Sequence, residues 1–367
     1  MLTNIFDNRK GKFNNKKIVL GLSGGVDSTA AALLLKEQGF EVIGLYFDVS
    51  CGNEDGIAKA KKAAEQIGIK LIIKNVNQIF NDTVVDNFIN EYTNGRTPNP
   101  CTLCNPKVKF KVLIQAADEE EASFIATGHY AIIGYSDEQE CYVVKTADNI
   151  SKDQSYMLYR LPSEWIQRLI LPLSHIDDKE KTRQLARDND MFNAEAKDSQ
   201  EICFLENDMS YVDFLESKNV TVKPGKFIDK EGNVLGENQG IIHYTIGQRK
   251  GLGIALGKPA FVTEIRADNT VVLGDNDDLF AHNVFCDNVF FTATGNTHIP
   301  EFLKDVKLKG KIRYKATPSP CVVKGLEDGK ICVTFDEAQR AATPGQSLVL
   351  YYQDQVIGGG IIHSIEK

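Results

Sequence analysis

Residues 17–28 read as an apolar strand that ends in a glycine turn and continues into a helix. The turn carries the string Ser-Gly-Gly-Val-Asp-Ser at 23–28, and its two adjacent glycines let the backbone come close to an oxyanion. The helix that follows points its unpaired N–H groups and the positive end of its dipole at the turn. The pattern predicts a phosphate or pyrophosphate site, with a plain strand-to-helix connection as the alternative. It is not a Walker loop, because no Gly-Lys-Ser/Thr follows.

Cysteines are the second set of residues that could do chemistry. Cys101 and Cys104 stand at reactive spacing in the string TPNPCTLCNPK. Asn105-Pro106 predicts a helix start, which places Cys104 at a helix N-terminus, where the thiolate is favoured. The alternatives are an incidental pair or half a zinc site, although no second Cys-x-x-Cys supplies the other ligands. Cys203, between Ile and Phe, is either a buried core thiol or a third thiol on an exposed loop.

Several polar and basic segments suit contact with nucleic acid. They are Lys152 with its neighbours, Arg249-Lys250 among three glycines, and Arg313-Tyr314, which offers a cation beside a stacking ring. His129 follows a predicted strand and could be a ligand, a base or a nucleotide contact. Taken singly, these features are also typical of solvated loops, a strand pair and a structural histidine.

Composition narrows the classes of protein. The chain has 367 residues, a net charge of −8 and 42% hydrophobic residues, which fits two or three globular domains. Nucleic-acid binding then requires a local basic patch rather than a generally positive surface. The polar amino terminus and the absence of a long apolar run predict a cytoplasmic protein without a membrane span. Eight cysteines in such a chain do not form a disulfide framework.

The first third of the chain alternates strands and helices, which predicts a doubly wound parallel sheet of Rossmann-like type. Strands are expected at 17–20, 41–47, 69–73 and 123–127, and helices at 29–38, 57–67, 78–92 and 105–117. Ligands in such sheets bind beyond the carboxyl ends of the strands. That edge receives the Ser23 turn, the residues after Phe47, and Gly128-His129.

The sequence pattern changes twice after the first third of the chain. The segment 151–215 has a helical pattern, clearest at Lys179 to Asp188, whereas short alternating runs dominate after Val220. A hairpin is expected at 261–266 and 270–273. Further strands are expected at 307–315, 322–324, 331–335, 347–352 and 355–362, which indicates a small β-barrel. The expected division is 1–215 for the catalytic domain with a helical extension, 216–276 for a small central domain and 277–367 for the barrel.

Taken together, the strings resemble the tRNA-specific 2-thiouridylase family (MnmA) of PP-loop ATP pyrophosphatases. The resemblance covers nearly the whole chain in order. It rests on GLSGGVDS, TPNPCTLCN, ATGHY, SKDQSYMLY, KDSQEICF, YTIGQRKGLGI and FDEAQRAATPGQS. It implies a nucleotide-binding α/β domain, a small central domain and a C-terminal β-barrel. It also implies adenylation by ATP, with Mg²⁺, of carbon 2 of a wobble uridine in the anticodon stem-loop of tRNA. Sulfur then replaces the oxygen. The sulfur donor would be a persulfide carrier protein, a cysteine desulfurase or sulfide.

The resemblance also implies roles for matching residues. Cys104 matches the nucleophile and Cys203 the persulfide carrier. The ATP contacts correspond to Gly21, Leu22, Ser23, Gly24, Gly25, Val26, Asp27, Ser28, Phe47 and Gly128. The tRNA contacts correspond to Asn99, Pro100, Cys101, His129, Lys152, Asp153, Gln154, Arg313, Tyr314 and Gln346, to which the basic pair Arg249 and Lys250 is added.

Cys101 departs from the family pattern, because many members have an aspartate there as a proposed general base. Together with Cys104 and Cys203 it resembles the thiol set of members that hold an iron–sulfur cluster. A 4Fe-4S cluster on these three cysteines is therefore an alternative to the persulfide route. Other readings are a different PP-loop tRNA thiolase, a ligating or amidating ATP pyrophosphatase, and a catalytically silent tRNA-binding homologue.

Overall fold

The computed structural model describes residues 15–50, 52–196, 202–205, 209–221, 223–254, 257–303 and 306–366. The chain divides into two compact units. The first comprises Met1–Asn81, Thr102–Phe204 and Asp354–Val356, and the second comprises Asp82–Cys101, Leu205–Gln353 and Ile357–Lys367.

The helices in chain order are α1 (Val26–Glu37), α2 (Glu54–Ile67), α3 (Asn77–Phe80), α4 (Asp86–Thr93), α5 (Pro100–Cys104), α6 (Phe110–Glu119), α7 (Ser163–Ile166), α8 (Lys179–Asp188) and α9 (Tyr211–Ser217). The strands are β1 (Lys17–Gly21), β2 (Glu41–Asp48), β3 (Lys70–Asn75), β4 (Phe124–Ala126), β5 (Ile132–Ser136), β6 (Cys141–Lys145), β7 (Leu169–Ile170), β8 (Gly225–Ile228), β9 (Val234–Asn238), β10 (Phe261–Ile265), β11 (Thr270–Gly274), β12 (Phe280–Phe291), β13 (Leu308–Lys311), β14 (Ser319–Gly325), β15 (Ile331–Arg340), β16 (Ser347–Tyr352) and β17 (Gln355–Glu366).

The first unit is built on a five-stranded parallel sheet in the order β3-β2-β1-β4-β7, as the strand–helix alternation predicts. Ile18 and Leu20 on β1 share a buried cluster with the alanines and leucines of α1. Val19 points to the opposite face by strand alternation, and α6 contacts β1. Burial on both faces explains why these strands are continuous apolar runs.

Two helix boundaries follow the expected capping chemistry. Asn53 accepts a hydrogen bond from the Gly56 amide at the start of α2, and Gly68 ends the helix in the left-handed conformation at φ 72°. The helix expected at 78–92 runs from Asn77 to Thr93, with a π-helical segment at Asn81–Val85 between α3 and α4.

The helix expected to start at Asn105 starts earlier, so that prediction is wrong. Asn99 Oδ1 accepts a hydrogen bond from the Cys101 amide at 3.2 Å, and Pro100 is the first residue of α5. The first Asn-Pro of the string therefore has the cap role expected of the second. Pro106, which lacks an N–H, lies inside a π-helical segment, Asn105–Lys109, that leads into α6.

The helical pattern expected over 151–215 is correct for α8, which spans Lys179–Asp188 as predicted. Elsewhere the described part of this region holds short helical turns and the two-residue strand β7. The hairpin of β5 and β6 was not predicted. It pairs with the start of β17, where Gln355 lies opposite Lys145.

The second unit contains two β-structures. A four-stranded sheet has the order β10-β11-β8-β9, and β10 and β11 form the expected hairpin. The C-terminal barrel has six strands in the order β12-β15-β14-β13-β16-β17 and is closed by pairing of β17 with β12. The strand expected at 307–315 ends at Lys311, so Arg313 and Tyr314 lie in the bend and turn that follow rather than on a strand.

None of the helices in the described residues has the length and apolar character that a bilayer span needs.

Candidate functional site: a phosphate turn, two thiol segments and a basic surface

The Ser23–Ser28 turn is held by its own hydroxyl groups. The Ser28 hydroxyl donates to the Gly25 carbonyl at 3.0 Å and accepts from the Ser23 amide at 3.3 Å. The Gly25 amide donates to Ser23 Oγ at 3.3 Å, and Gly25 is the cap residue of α1. Ser23 and Gly25 are exposed, whereas the apolar side chains of Leu22 and Val26 are buried. The backbone of the turn is therefore the part that can meet an anion.

Gly24 is required at the sharpest point of this turn. Its φ is +78°, and a Cβ there would lie 2.7 Å from the Lys59 carbonyl carbon of α2. From the other side, the buried Asn193 amide donates to the Gly24 carbonyl at 2.7 Å and to the Thr29 hydroxyl at 2.8 Å. These contacts fix the turn between α2 and the segment after α8.

Asp27, in the first turn of α1, lies in a charged network. Its Oδ1 accepts a hydrogen bond from the Tyr130 hydroxyl at 2.7 Å, and its Oδ2 pairs with Lys179 Nζ at 2.7 Å. The Tyr130 and Thr182 hydroxyl oxygens are 3.2 Å apart, and Thr182 is on α8 with Lys179. The network therefore joins the phosphate turn to the N-terminal part of α8.

The other residues expected to contact ATP lie near the same edge of the sheet. Gly21 ends β1, and a Cβ on it would lie 3.3 Å from the ring of Phe47 on the neighbouring strand β2. Gly128 follows β4 and packs on the first turn of α1, where an added Cβ would lie 3.1 Å from the Ser28 nitrogen. The structure brings these residues together with the turn, as expected at the carboxyl ends of parallel strands.

His129 is held in its neutral form. Burial, reinforced by the positive charge of Lys109, lowers the pKa of His129 to about 3. Its Nδ1 lies 2.8 Å from the Thr127 hydroxyl, and its ring lies 6.1 Å from that of Phe110. A neutral imidazole can hydrogen-bond to a nucleotide but does not supply a positive charge near neutral pH.

The thiols occupy different local environments. Cys104 is buried at the end of α5, Cys101 is half-buried in its first turn, and Cys203 is exposed. Since the helix starts at Pro100, the helix-dipole argument made for Cys104 applies instead to Cys101. Residues 197–201 of the Cys203 string lie outside the described residues.

Four other cysteines are poor nucleophiles. Burial raises the pKa values of Cys141, Cys286, Cys321 and Cys332, that of Cys321 to about 12. Among residues of the described ranges, no group of three or more His, Cys, Asp or Glu side chains is placed to hold a metal ion. Cys104 and Cys203 belong to the first unit, and Cys101 belongs to the second.

The loop before α5 is fixed by the segment that leads into β16. The Thr97 amide donates to the Pro344 carbonyl at 2.9 Å, and the Gln346 side-chain amide donates to the Thr97 carbonyl at 2.7 Å. Gly345, at φ +92°, leaves no room for a side chain, because a Cβ would lie 2.9 Å from Thr97 backbone atoms. The structure thus brings Gln346 next to the loop that carries Asn99 and Pro100.

The triplet Lys152–Gln154 is partly used to hold its own loop. Asp153 is buried and accepts hydrogen bonds from the amides of Ala147 and Ser155. Gln154 accepts from the Tyr130 amide at 3.0 Å and thereby positions the tyrosine that contacts Asp27. Lys152 is half-buried.

A basic surface forms in the second unit. Arg313 donates to the carbonyls of Arg340 and Ala341 at 3.3 and 3.5 Å. A Cβ on Gly247 would lie 3.1 Å from the Ala341 side chain, so the loop with the exposed Arg249 and Lys250 approaches the same segment. Arg249 also lines an open cavity of about 690 Å³ with residues 251–254 and 257–260. Tyr314 is half-buried, and Lys311 Nζ lies 5.5 Å from its ring centroid.

Sequence reasoning missed four residues of these sites, namely Tyr130, Lys179, Asn193 and Arg340. Tyr130 and Arg340 lie in strings quoted for the family resemblance, but only as parts of the strings. Lys179 and Asn193 are single polar residues far along the chain from the turn they contact, and no spacing rule joins them to it.

Comparison with known proteins adds family-level evidence. Three family models match the chain in order: a tRNA methyl transferase HUP domain at residues 16–207, a tRNA methyl transferase PRC-barrel domain at 212–275 and an aminomethyltransferase beta-barrel domain at 290–362. The chain is 43% identical to tRNA-specific 2-thiouridylase MnmA 2 of Caldanaerobacter subterraneus, over 95% of this chain and 98% of that protein. Identity is 42% with the MnmA protein of Acetivibrio thermocellus and 40% with that of Clostridioides difficile, each over 95% of this chain and 99% of the relative.

Proposed function

Because the chain belongs to the tRNA-specific 2-thiouridylase family, we propose that it is a tRNA-uridine 2-sulfurtransferase. The enzyme uses ATP to adenylate carbon 2 of the wobble uridine and then replaces the carbon-2 oxygen with sulfur. The observation that carries this proposal is the match to MnmA proteins over 95% of the chain, together with the phosphate turn at the end of β1. The division into parts at 1–215, 216–276 and 277–367 is proposed with it.

The adenylation step assigns roles to the residues around the turn. Backbone amides of Ser23–Ser28 hold the pyrophosphate part of ATP, and Phe47, Gly21 and Gly128 shape the nucleotide site. Mg²⁺ supplies charge neutralisation of the triphosphate when bound. Asp27 suits it as a ligand, because each carboxylate oxygen has a second lone pair besides the one used by Tyr130 or Lys179.

The sulfur-transfer step assigns roles to two thiols. Cys203 is exposed and carries the transferred sulfur as a persulfide, and Cys104 is the nucleophile. The outer persulfide sulfur bonds to carbon 2, and the former carbon-2 oxygen leaves with AMP. The Cys104 thiolate then attacks the Cys203 sulfur, so the S–S bond of the persulfide breaks, the transferred sulfur stays on carbon 2 and a Cys104–Cys203 disulfide forms, which an external dithiol reduces. A persulfide carrier protein or a cysteine desulfurase supplies the sulfur of the Cys203 persulfide. Sulfide as the donor would instead attack carbon 2 directly and displace AMP, because sulfide forms no persulfide without an oxidant. The alternative to this persulfide route is a 4Fe-4S cluster held by Cys101, Cys104 and Cys203.

Binding of the tRNA is assigned to the residues that match the family's tRNA contacts and to the basic pair Arg249 and Lys250. Asn99, Pro100 and Cys101 contact the target base, with Gln346 holding their loop. Lys152, Arg249, Lys250, Arg313 and Tyr314 contact the tRNA, with the neutral His129 as a hydrogen-bonding group and Asp153 and Gln154 fixing the Lys152 loop. The proposed setting is the cytoplasm.

The proposal is tested by the nucleotide products and their dependence on tRNA. The purified enzyme with ATP, unmodified tRNA, and a cysteine desulfurase with cysteine and a dithiol should release AMP and pyrophosphate only when tRNA is present. Cys104→Ser and Cys203→Ser should lose thiolation but retain ATP binding, and Cys332→Ser is the control. Release of ADP and phosphate, or turnover indifferent to tRNA, would contradict the proposal.

A further inference from the structure

Lys179 is a largely buried cation that pairs with Asp27, next to the phosphate turn. Its side chain is 16% exposed, and its Nζ lies 2.7 Å from Asp27 Oδ2, whereas the Asp27 side chain is 32% exposed. Asp27 is the second residue of the helix that begins at the turn. The Asp27 carboxylate therefore links the Lys179 ammonium group to the first turn of α1.

Buried hydroxyl groups orient the Asp27–Lys179 ion pair. Tyr130 is 4% exposed and donates to the other Asp27 oxygen, and Thr182 on α8 is fully buried beside it. The contact therefore fixes α8 against α1 and sets Lys179, the first residue of α8, at the turn. A surface ion pair would not need such support.

The balance of charges favours separation of the Asp27–Lys179 ion pair when a nucleotide triphosphate binds. Asp27 and Lys179 cancel each other in the absence of ligand, so the turn offers a nucleotide mainly backbone amides. A triphosphate brings several negative charges to the site and competes with Asp27 for the ammonium group. The backbone of Lys59 on α2 also lies against the turn, but its ammonium group pairs with Asp55 on the exposed face, where both side chains are more than half exposed.

We propose that Lys179 is a phosphate-binding residue, which is held by Asp27 in the free enzyme and contacts the β- or γ-phosphate of bound ATP. The inference rests on the proposed function in so far as ATP is the nucleotide. AMP lacks those phosphates, so Lys179 contributes to ATP binding and not to AMP binding.

The test separates phosphate contact from simple neutralisation of Asp27. Binding of α,β-methylene-ATP, pyrophosphate and AMP is measured without Mg²⁺ for Asp27→Asn and for Asp27→Asn/Lys179→Met. Both variants lack the Asp27 charge, so they differ only in Lys179. We expect the double variant to bind α,β-methylene-ATP and pyrophosphate about tenfold more weakly or worse, with equal AMP affinity. AMP binding also reports that the nucleotide site is folded.

Substitutions on α8 and on α2 serve as matched controls. Lys181→Met removes a cation two residues along α8 that pairs with Asp177 at the surface, and it should change nothing. Lys179→Arg, in the wild-type background, should retain most of the triphosphate affinity. Equal triphosphate affinity of the two Asp27→Asn variants would overturn the proposal, as would a loss caused by Lys59→Met instead. The proposed function fails, while the Lys179 inference stands, if wild-type enzyme binds α,β-methylene-ATP but does not convert ATP to AMP in the presence of tRNA.

Discussion

At the scale of single residues, Asn193 is the group from outside the turn that holds its backbone through hydrogen bonds. Its side chain donates to the Gly24 carbonyl and the Thr29 hydroxyl, and its Oδ1 is buried without a partner in the described structure. A buried amide with one unsatisfied oxygen is retained at a cost in stability. The cost is offset here by fixing the backbone that meets the anion.

Asn193→Ala is therefore expected to lower the free energy of unfolding by about 1–3 kcal/mol and to weaken ATP binding. Urea unfolding and nucleotide titration measure the two effects. Asn189→Ala is the control, because Asn189 is exposed and bonds only to the Leu185 carbonyl within its own helix. Equal effects of the two substitutions would refute the role given to Asn193.

His129 gives a prediction for pH. Its pKa is about 3 in the folded protein and about 6.5 when unfolded, so between these values the unfolded chain binds the proton and the folded chain does not. Stability from this group is complete above pH 6.5 and falls as the pH is lowered towards 3. The loss at pH 5 is up to about 2 kcal/mol.

His129→Asn keeps a hydrogen-bonding side chain but removes the titration. We expect the fall in melting temperature between pH 7 and pH 5 to be smaller in this variant than in the wild type. Identical falls in the two proteins would show that His129 is not shielded from protonation.

At the scale of elements, the turn at the end of β1 could be predicted from the sequence, because its glycines, serines and apolar strand are contiguous. The start of α5 could not, since two Asn-Pro pairs lie six residues apart and both satisfy the capping rule. The Asn99 side chain accepts from the Cys101 amide, whereas the buried Asn105 side chain donates to the distant Met157 carbonyl, a tertiary contact that the local sequence does not reveal. The partners of Asp27 escaped prediction for the same reason, because they lie 103 and 152 residues further along the chain.

Gly345 tests this element directly. Gly345→Ala introduces a Cβ 2.9 Å from Thr97 backbone atoms at φ +92°, whereas Gly295→Ala has the same type of backbone conformation, at φ +65°, with nothing within 4 Å. The control should cost about 1 kcal/mol from the positive φ alone, and Gly345→Ala should cost clearly more. Gly345→Ala should also lower tRNA thiolation by displacing the 97–101 loop. Equal stability and activity of the two variants would contradict the proposed support of the loop.

At the scale of the whole molecule, a protein with a net charge of −8 has to bind tRNA, which is itself a polyanion. Binding must then rely on a local surface, for which the loop of Arg249 and Lys250 and the side chains of Arg313 and Arg340 are the candidates. Cations that are already paired with acids elsewhere contribute little to such a surface.

Arg249→Ala/Lys250→Ala should weaken tRNA binding and lower the slope of log affinity against log salt by roughly 1.5, while ATP affinity is unchanged. The control is Lys230→Ala/Lys307→Ala, which removes two exposed lysines paired with Asp278 and Asp336. Filter binding over a salt series measures both slopes. An unchanged slope, or an equal loss of ATP binding, would show that the two residues are structural.

The proposed product of the enzyme is 2-thiouridine at the wobble position of tRNA. The most direct measurement is mass spectrometry of nucleosides and of anticodon fragments from tRNA treated with enzyme, ATP and a sulfur source. We expect uridine with sulfur at carbon 2, confined to the wobble nucleotide and absent with Cys203→Ser. Thiocytidine, 4-thiouridine or sulfur at another position would contradict it.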